Sequence, residues 1–348
     1  MAKADRRRRA AGGPFFRLIL EQYSILILVI AASAAFALFN PRFLTLENLI
    51  NLSRQIVPMG LLALGASFVL IGGNLDLSAG VGATVCGAAL GVTFVVTKNV
   101  ALALLVGIGT GLAIGTVNAL FIAKAGFGSV IVTLAVMTIL QGGIQLLLAG
   151  RIVFLSHPLF AFISRGTVVG IPFTFLVLVA FFLLAWYLLN QTKFGVHLYA
   201  AGGNRRIAEV VGIRIQRVHF LTFVISGLLM SVSGIVLVSR LALISPNLSG
   251  FPLLLNGVSA AVIGGISVTG GRGNAGGVFL GIIFIGVVSN AINFLNVTPE
   301  AQDLFRGLLV VFALIFQQLT IRRRLPAGSA SGAGTGGAAG VKEVKGEL

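Results

Sequence analysis

Long apolar runs, broken by short polar or glycine-rich stretches, recur along the chain from Tyr23 to Thr320. Blocks such as YSILILVIAASAAFALF and IPFTFLVLVAFFLLAWYLL lack the alternation of a half-buried strand. They approach the ~20 apolar residues a helix needs to cross hydrocarbon. The pattern predicts about ten spans, close to Tyr23 to Phe39, Ile56 to Ile71, Val81 to Val96, Val100 to Ile122, Ile131 to Ala149, Ile171 to Leu189, Val218 to Val238, Leu253 to Ile266, Gly276 to Leu295 and Leu304 to Leu319. The stretch from Leu253 to Ile266 is short and glycine-rich enough to be re-entrant. A transmembrane barrel would show short alternating segments instead. The expected fold is an all-α polytopic helical bundle with interrupted helices.

Composition agrees with that class. Hydrophobic residues make up 57% of the chain and charged residues only 10%, with a mean hydropathy of +1.04. A soluble domain carries about 25% charged residues. The net charge of +16 raises the question of nucleic acid, but no basic and aromatic residues interleave on a polar surface. Topology accounts for the cations better. With the N-terminus inside, 18 of the 25 Lys and Arg fall on the predicted inner side and 7 on the outer.

The leading MAKADRRRRAAGGPFFR precedes a long run without a good cleavage site, so it reads as the cytoplasmic flank of a retained first span. Residues 1–22 are then a basic cytoplasmic segment, 23–321 the membrane domain, and 322–348 a disordered cytoplasmic tail. The small and polar PAGSASGAGTGGAAGVKEVKGEL of that tail has too little apolar surface to offset the cost of ordering.

Candidate chemistry is sparse. Cys86 is the lone cysteine and reads as a small core residue. His157, His197 and His219 lie in separate segments, with no phosphate-binding G-x-x-x-x-G-K-[ST] loop and no metal-ligand cluster. No covalent chemistry, catalytic residue, metal or cofactor is expected.

Two glycine-rich breaks interrupt the apolar pattern. In IGGNLDLSAGVG, Asp76 is the only acid between Glu47 and Glu209. An ionisable group at that depth marks a functional candidate. Its other reading is structural: Asp76 or Ser78 caps the helix opening near Val81. The second break, VIGGISVTGGRGNAGG, echoes the first. Gly264, Thr269, Gly271 and Gly273 stand 191 residues after Gly73, Ser78, Gly80 and Gly82, which hints at a duplicated architecture. With Asp76 and Ser78, Asn74, Asn256, Ser259, Asn290 and Asn293 would line a polar path for a neutral hydroxylated solute; the rival role of each is hydrogen bonding between helices. Gly107, Gly111 and Gly115, and again Gly277 and Gly281, share one helix face at spacing four, which suits close static packing.

The most distinctive polar segment is FGVHLYAAGGNRRIAEVVGI, Phe194 to Ile213. A GGN break there, expected to need φ > 0 at Gly203, precedes one or two amphipathic turns carrying Arg205, Arg206 and Glu209. The expectation is a short helix on the cytoplasmic surface; the plainer alternative is a charged loop obeying the positive-inside rule.

LGASFVLIGGNLDLSAG, FGVHLYAAGGNRRIAEVVGI and GVSAAVIGGISVTGGRGNAGGVFLGIIFIGVVSNAIN, in that order, resemble the ribose-type permease subunits of bacterial ABC importers over about Asn40 to Leu319. The resemblance implies a multi-pass protein of the bacterial inner membrane. It implies pairing with a second permease, itself or a paralogue, docking of two cytoplasmic ATPase subunits, and receipt of a monosaccharide from a periplasmic or lipid-anchored binding protein. The segment matching Phe194 to Ile213 is expected to hold the helix that couples to the ATPase, with Gly203, Asn204, Ala208 and Gly212 on the family's motif positions. Arg205, Arg206 and Ile207 stand where the family commonly has an acidic or small stretch, which implies a different matching surface on the ATPase. The alternatives are a branched-chain amino-acid permease of the same plan, against which the GGNLDLSAG break speaks, and an ion-coupled secondary transporter, which would want more embedded acids than Asp76.

Overall fold

Thr45 ends one polar connection and starts the first fully described span: its Oγ1 accepts the Asn48 amide, capping a helix over Leu46–Ile71. The computed structural model describes residues 14–248 and 250–294 and the single positions 301, 304, 307, 308 and 311, with side chains from residue 25 onward. The span expected over Leu304 to Leu319 falls almost wholly outside them, as do most of 1–22 and all of 322–348.

Twelve α-helices are described: α1 Pro14–Phe39, α2 Leu46–Ile71, α3 Ala79–Thr97, α4 Val100–Ala119, α5 Ser129–Leu148, α6 Pro158–Arg165, α7 Phe173–Gln191, α8 Lys193–Gly203, α9 Arg205–Val210, α10 Ile215–Leu241, α11 Phe251–Ile263 and α12 Ala275–Phe294. A π-helical turn, Leu120–Lys124, prolongs α4. Two antiparallel pairs of two-residue strands complete the described elements: β1 Val153–Phe154 with β4 Leu243–Ile244, and β2 Thr167–Val168 with β3 Ile171–Pro172.

Seven of these helices are long and apolar enough to cross a membrane: α2, α3, α4 with its π turn, α5, α7, α10 and α12. The chain is thus an all-α polytopic membrane protein. α2 begins ten residues before the expected Ile56, because Leu46 to Gln55 is polar enough to depress hydropathy yet fully helix-compatible. α11 has 13 residues, about 20 Å at 1.5 Å per residue, too short for ~30 Å of hydrocarbon. Its start abuts α3: a Cβ on Gly80 would strike the Gly250 carbonyl, and one on Gly250 would strike that of Gly80.

α10 runs through the centre, packed on α2, α3 and α4. Small residues make this possible without a hydrophobic drive between helices in lipid. A Cβ on Gly111 would collide with the Gly227 carbonyl, and one on Gly115 with that of Phe223. Gly277 and Gly281 likewise meet the carbonyls of Gly264 and Ala260 at the end of α11. Polar pairs add to the seam. The amides of Asn48 and Asn290 bond reciprocally at 2.9 and 3.1 Å, and Ser233 Oγ donates to the Pro58 carbonyl at 2.8 Å. Hence Gly227→Val is expected to lower folded yield and thermal stability in detergent, overpacking of this kind costing about 1–3 kcal/mol. Gly109→Ala on the facing helix α4, with no atom of a described residue within 4 Å of its added Cβ, is expected to leave both unchanged.

The described residues leave most of the surface of α4, α5 and α7 uncovered. On α7 the uncovered positions include Leu183, Leu184, Trp186 and Tyr187, an apolar face ending in aromatic side chains suited to a membrane interface.

Candidate coupling and substrate site

Three glycine doublets meet at one end of the bundle. Gly72 and Gly73 close α2, Gly202 and Gly203 close α8, and Gly270 and Gly271 lie in the connection from α11 to α12. The Gly271 amide donates to the Ile71 carbonyl at 2.8 Å, and Gly202 lies directly against that bond. A Cβ on Gly202 would collide with the Ile71 carbonyl and stand 2.8 Å from the Gly271 nitrogen. Gly73, Gly270 and Gly271 have φ of +77°, +88° and +70°, which L side chains rarely adopt. Backbone therefore packs on backbone, joining both sequence breaks to the Phe194–Ile213 insertion. Tyr199 Oη, donating to the Gly273 carbonyl at 2.8 Å, adds a second tie from α8 to the same connection.

Gly203 does not behave as expected. Its φ is not positive, and a Cβ there would meet only the Gly271 Cα, at 3.9 Å. The constraint belongs to Gly202, one residue earlier, because that residue turns its Hα toward α2 and the Gly271 amide.

Beyond Gly203 the chain folds back through Asn204. Its Oδ1 accepts the Ile207 amide at 3.1 Å and so caps α9. α9 ends in paired bonds, Ile213 N to Ala208 O and Gly212 N to Glu209 O, each 3.0 Å, with Gly212 at φ +83°. Ala208 is the buried anchor of this helix. Arg205 Nε and Glu209 Oε1 pair at 3.1 Å across one exposed turn, and Arg206 is exposed beside them. Exposed pairs of this kind contribute little to stability. Ile207, Val210 and Val211 are also uncovered, so the tip of the insertion presents apolar and cationic groups together.

From Gly73 the chain re-enters the bundle. Asp76 is only 4% exposed. Its Oδ1 accepts both the amide and the hydroxyl of Ser78, at 3.1 and 2.6 Å, and its Oδ2 accepts from Ser226 Oγ at 2.9 Å. Asn118 Nδ2 donates to Ser78 Oγ at 2.9 Å, which ties α4 into the same cluster. Ser226 stands near the middle of the 27-residue α10, so the carboxylate sits deep among the helices. The helix starts at Ala79 rather than near Val81, and Ser78 at its cap position makes no side-chain cap bond. Asp76 instead fixes the turn leading into α3 and clamps that turn to α10.

The other expected path residues separate. Asn74 follows the Gly73 turn, and its side chain reaches only the Gly72 carbonyl among the described residues, at 3.4 Å. Asn290 is occupied by Asn48. The hydroxyl of Ser259 is buried with no bonding partner among the described residues. Asn256 and Asn293 do come together, lining with Gln55, Arg240 and Ser289 a recess of about 170 Å³ between α2, α10, α11 and α12. Ser226 and Asn118 went unremarked in the sequence, and Gly202 entered only as part of the GGN break. The two hydrogen-bonding residues lie among many similar serines and asparagines, and Gly202 is one of 46 glycines.

The sequence profile described as branched-chain amino acid transport system / permease component matches residues 48–314. The L-arabinose transport system permease protein AraH of Escherichia coli is 36% identical over 308 residues, covering 87% of this chain and 92% of its own. The ribose import permease protein RbsC of Bacillus subtilis is 33% identical over 308 residues, 88% of this chain and 92% of its own. RbsC of Haemophilus influenzae is 30% identical over 303 residues, 86% and 93% respectively. No solved structure matches significantly.

Proposed function

The chain belongs to the branched-chain amino acid transport system / permease component family, and from that premise we propose that it is the membrane subunit of an ATP-driven importer of a monosaccharide. Its relatives named for ribose and L-arabinose support the sugar. The packing of Gly202 on Ile71 and Gly271 carries the mechanism, because it links the projecting α8–α9 unit rigidly to both interrupted segments. A push on α9 is then transmitted to the turn that holds Asp76.

In this reading one of two cytoplasmic ATPase subunits docks on α9, through Gly203, Asn204, Arg205, Arg206, Ala208, Glu209 and Gly212 and the uncovered Ile207, Val210 and Val211, and the other on the second permease. A second permease, a copy of this chain or a paralogue, completes the path, and a binding protein outside delivers the sugar. Closure of the ATPases on ATP drives the helix pair toward the alternate state, and hydrolysis resets it. This chain provides the gated path, with Asp76 and Ser78 holding the re-entrant turn beside Asn74, with Asn256 and Asn293 lining a recess farther along, and with the buried Ser259 and Asn290 set among the helices around it.

Reconstitution in proteoliposomes with candidate ABC ATPase and sugar-binding protein subunits tests the proposal. ATP-dependent uptake of L-arabinose or D-ribose is the expected result. ATP-dependent uptake of leucine in place of either sugar would replace the substrate class. Uptake driven by an ion gradient without ATPase would remove the ABC assignment.

A further inference from the structure

Among the three largely uncovered spanning helices, one differs. The exposed positions of α4 are Ala101, Leu102, Leu105, Gly109, Ala113 and Val117, and those of α7 are equally apolar until its last turn. α5 instead exposes Thr138, Gln141 and Gln145, at i, i+3 and i+7 and so on one face. Thr138 Oγ1 bonds the carbonyl of Leu134, one turn back on its own helix, at 3.0 Å, and Gln145 Nε2 donates to the Pro246 carbonyl at 3.0 Å. The Gln141 amide makes no hydrogen bond to a described residue, and a Cβ added at Gly142 or Gly143 beside it would meet no described atom within 4 Å. Amide groups left without partners in hydrocarbon cost several kcal/mol each, on the order of 4–8. This face does not look onto lipid tails.

It looks onto a recess of about 530 Å³ between α3, α5 and the segment leading into α11. Thr84, Thr138, Gln141, Gln145 and Asn247 supply its polar groups, and among the described residues no charged side chain lines it. Its volume falls in the range of small-molecule sites, about 300–1,000 Å³, whereas the recess at Asn256 and Asn293 is smaller. The two recesses flank the first turn of α11, with Leu248 and Gly250 lining one and Leu253 and Asn256 the other.

We propose that a neutral monosaccharide passes against this face of α5, its hydroxyls exchanging water for the amides of Gln141, Gln145 and Asn247 and the hydroxyls of Thr84 and Thr138. The proposal rests on the importer reading above and assigns the substrate-facing side of the subunit. Uncharged donors and acceptors match a polyhydroxylated solute, since each amide both gives and accepts hydrogen bonds. A zwitterionic amino acid or an acidic sugar would shed water here with no counter-charge to replace it.

The test uses the complete complex in proteoliposomes with Cys86→Ala as background. Gln141→Cys is expected to react with a charged, water-soluble methanethiosulfonate at least tenfold faster than Leu183→Cys on the apolar face of α7. Added L-arabinose or D-ribose, whichever the wild type takes up, should slow that reaction severalfold in the presence of the binding protein. Gln141→Leu should reduce uptake at least tenfold at unchanged membrane abundance. A Gln141→Cys thiol as unreactive as that of Leu183→Cys, or reactive but indifferent to sugar, would overturn the site, as would full uptake by Gln141→Leu. Failure of the wild-type complex to take up either sugar removes the monosaccharide reading and the ligand named here with it. Normal uptake beside a dry α5 removes only the site.

Discussion

Gly202→Ala is expected to abolish sugar transport while leaving an assembled, membrane-inserted subunit. One methyl group would be forced into the Ile71 carbonyl and against the Gly271 amide, where two backbones already touch and share a hydrogen bond. No flexible side chain can yield there, so α8 must lift away from the end of α2 or the bond must break. The rest of the spanning helices would be spared, because the contact is made at Ile71, the last residue of α2. The disconnection then falls between the ATPase-facing unit and the re-entrant turn. Basal ATP hydrolysis by the complex should persist, its stimulation by sugar-loaded binding protein should disappear, and uptake should fall at least tenfold. Gly203→Ala is the control: its φ is ordinary and its added methyl finds space, so transport should stay within about twofold of wild type. Equal damage from both substitutions would show that the doublet acts by flexibility and not by contact.

The contrast between the two glycines shows how far the sequence could be read. Helix existence was legible because hydrocarbon demands long apolar runs, and α3, α4, α5, α7 and α10 fall within a few residues of their expected places. Hydropathy failed where helix and membrane part company, as at Leu46 to Gln55, which is helical but polar. The surface helices of the insertion were legible as a class, since Asn204 and Gly212 are a cap and a stop by residue type. Which member of GlyGly bears the load was not, because both lack a side chain and only the approach of Ile71, some 130 residues away in sequence, distinguishes them. The same holds for Asp76, whose depth was legible but whose partner Ser226 lies 150 residues on. The Thr138, Gln141 and Gln145 stripe was present at helical spacing in an apolar span, a signal that a closer reading of the polar exceptions could have found.

Asp76 carries the second large effect, and its sign depends on geometry more than on charge. Every bond its carboxylate makes is accepted from a neutral donor, two from Ser78 and one from Ser226. Asn preserves the Oδ1 acceptor for both Ser78 bonds. At the other position its amide would donate to Ser226 Oγ, which can rotate to accept. Asp76→Asn should therefore fold, insert and keep most uptake. Asp76→Ala leaves the Ser78 amide and the hydroxyls of Ser78 and Ser226 facing a cavity, with Asn118 tied to an unanchored partner. Each buried donor without an acceptor costs about 1–3 kcal/mol, so the loss is several kcal/mol, enough to empty the folded state of a marginal bundle. Membrane abundance and uptake should then fall together, at least fivefold. A Ser226→Ala variant, which removes a single donor and strands only one lone pair of a carboxylate that keeps two bonds, should lie between the two. An abundant but inactive Asp76→Asn protein would contradict this account, since it would mean that the carboxylate acts on the sugar and not on the turn.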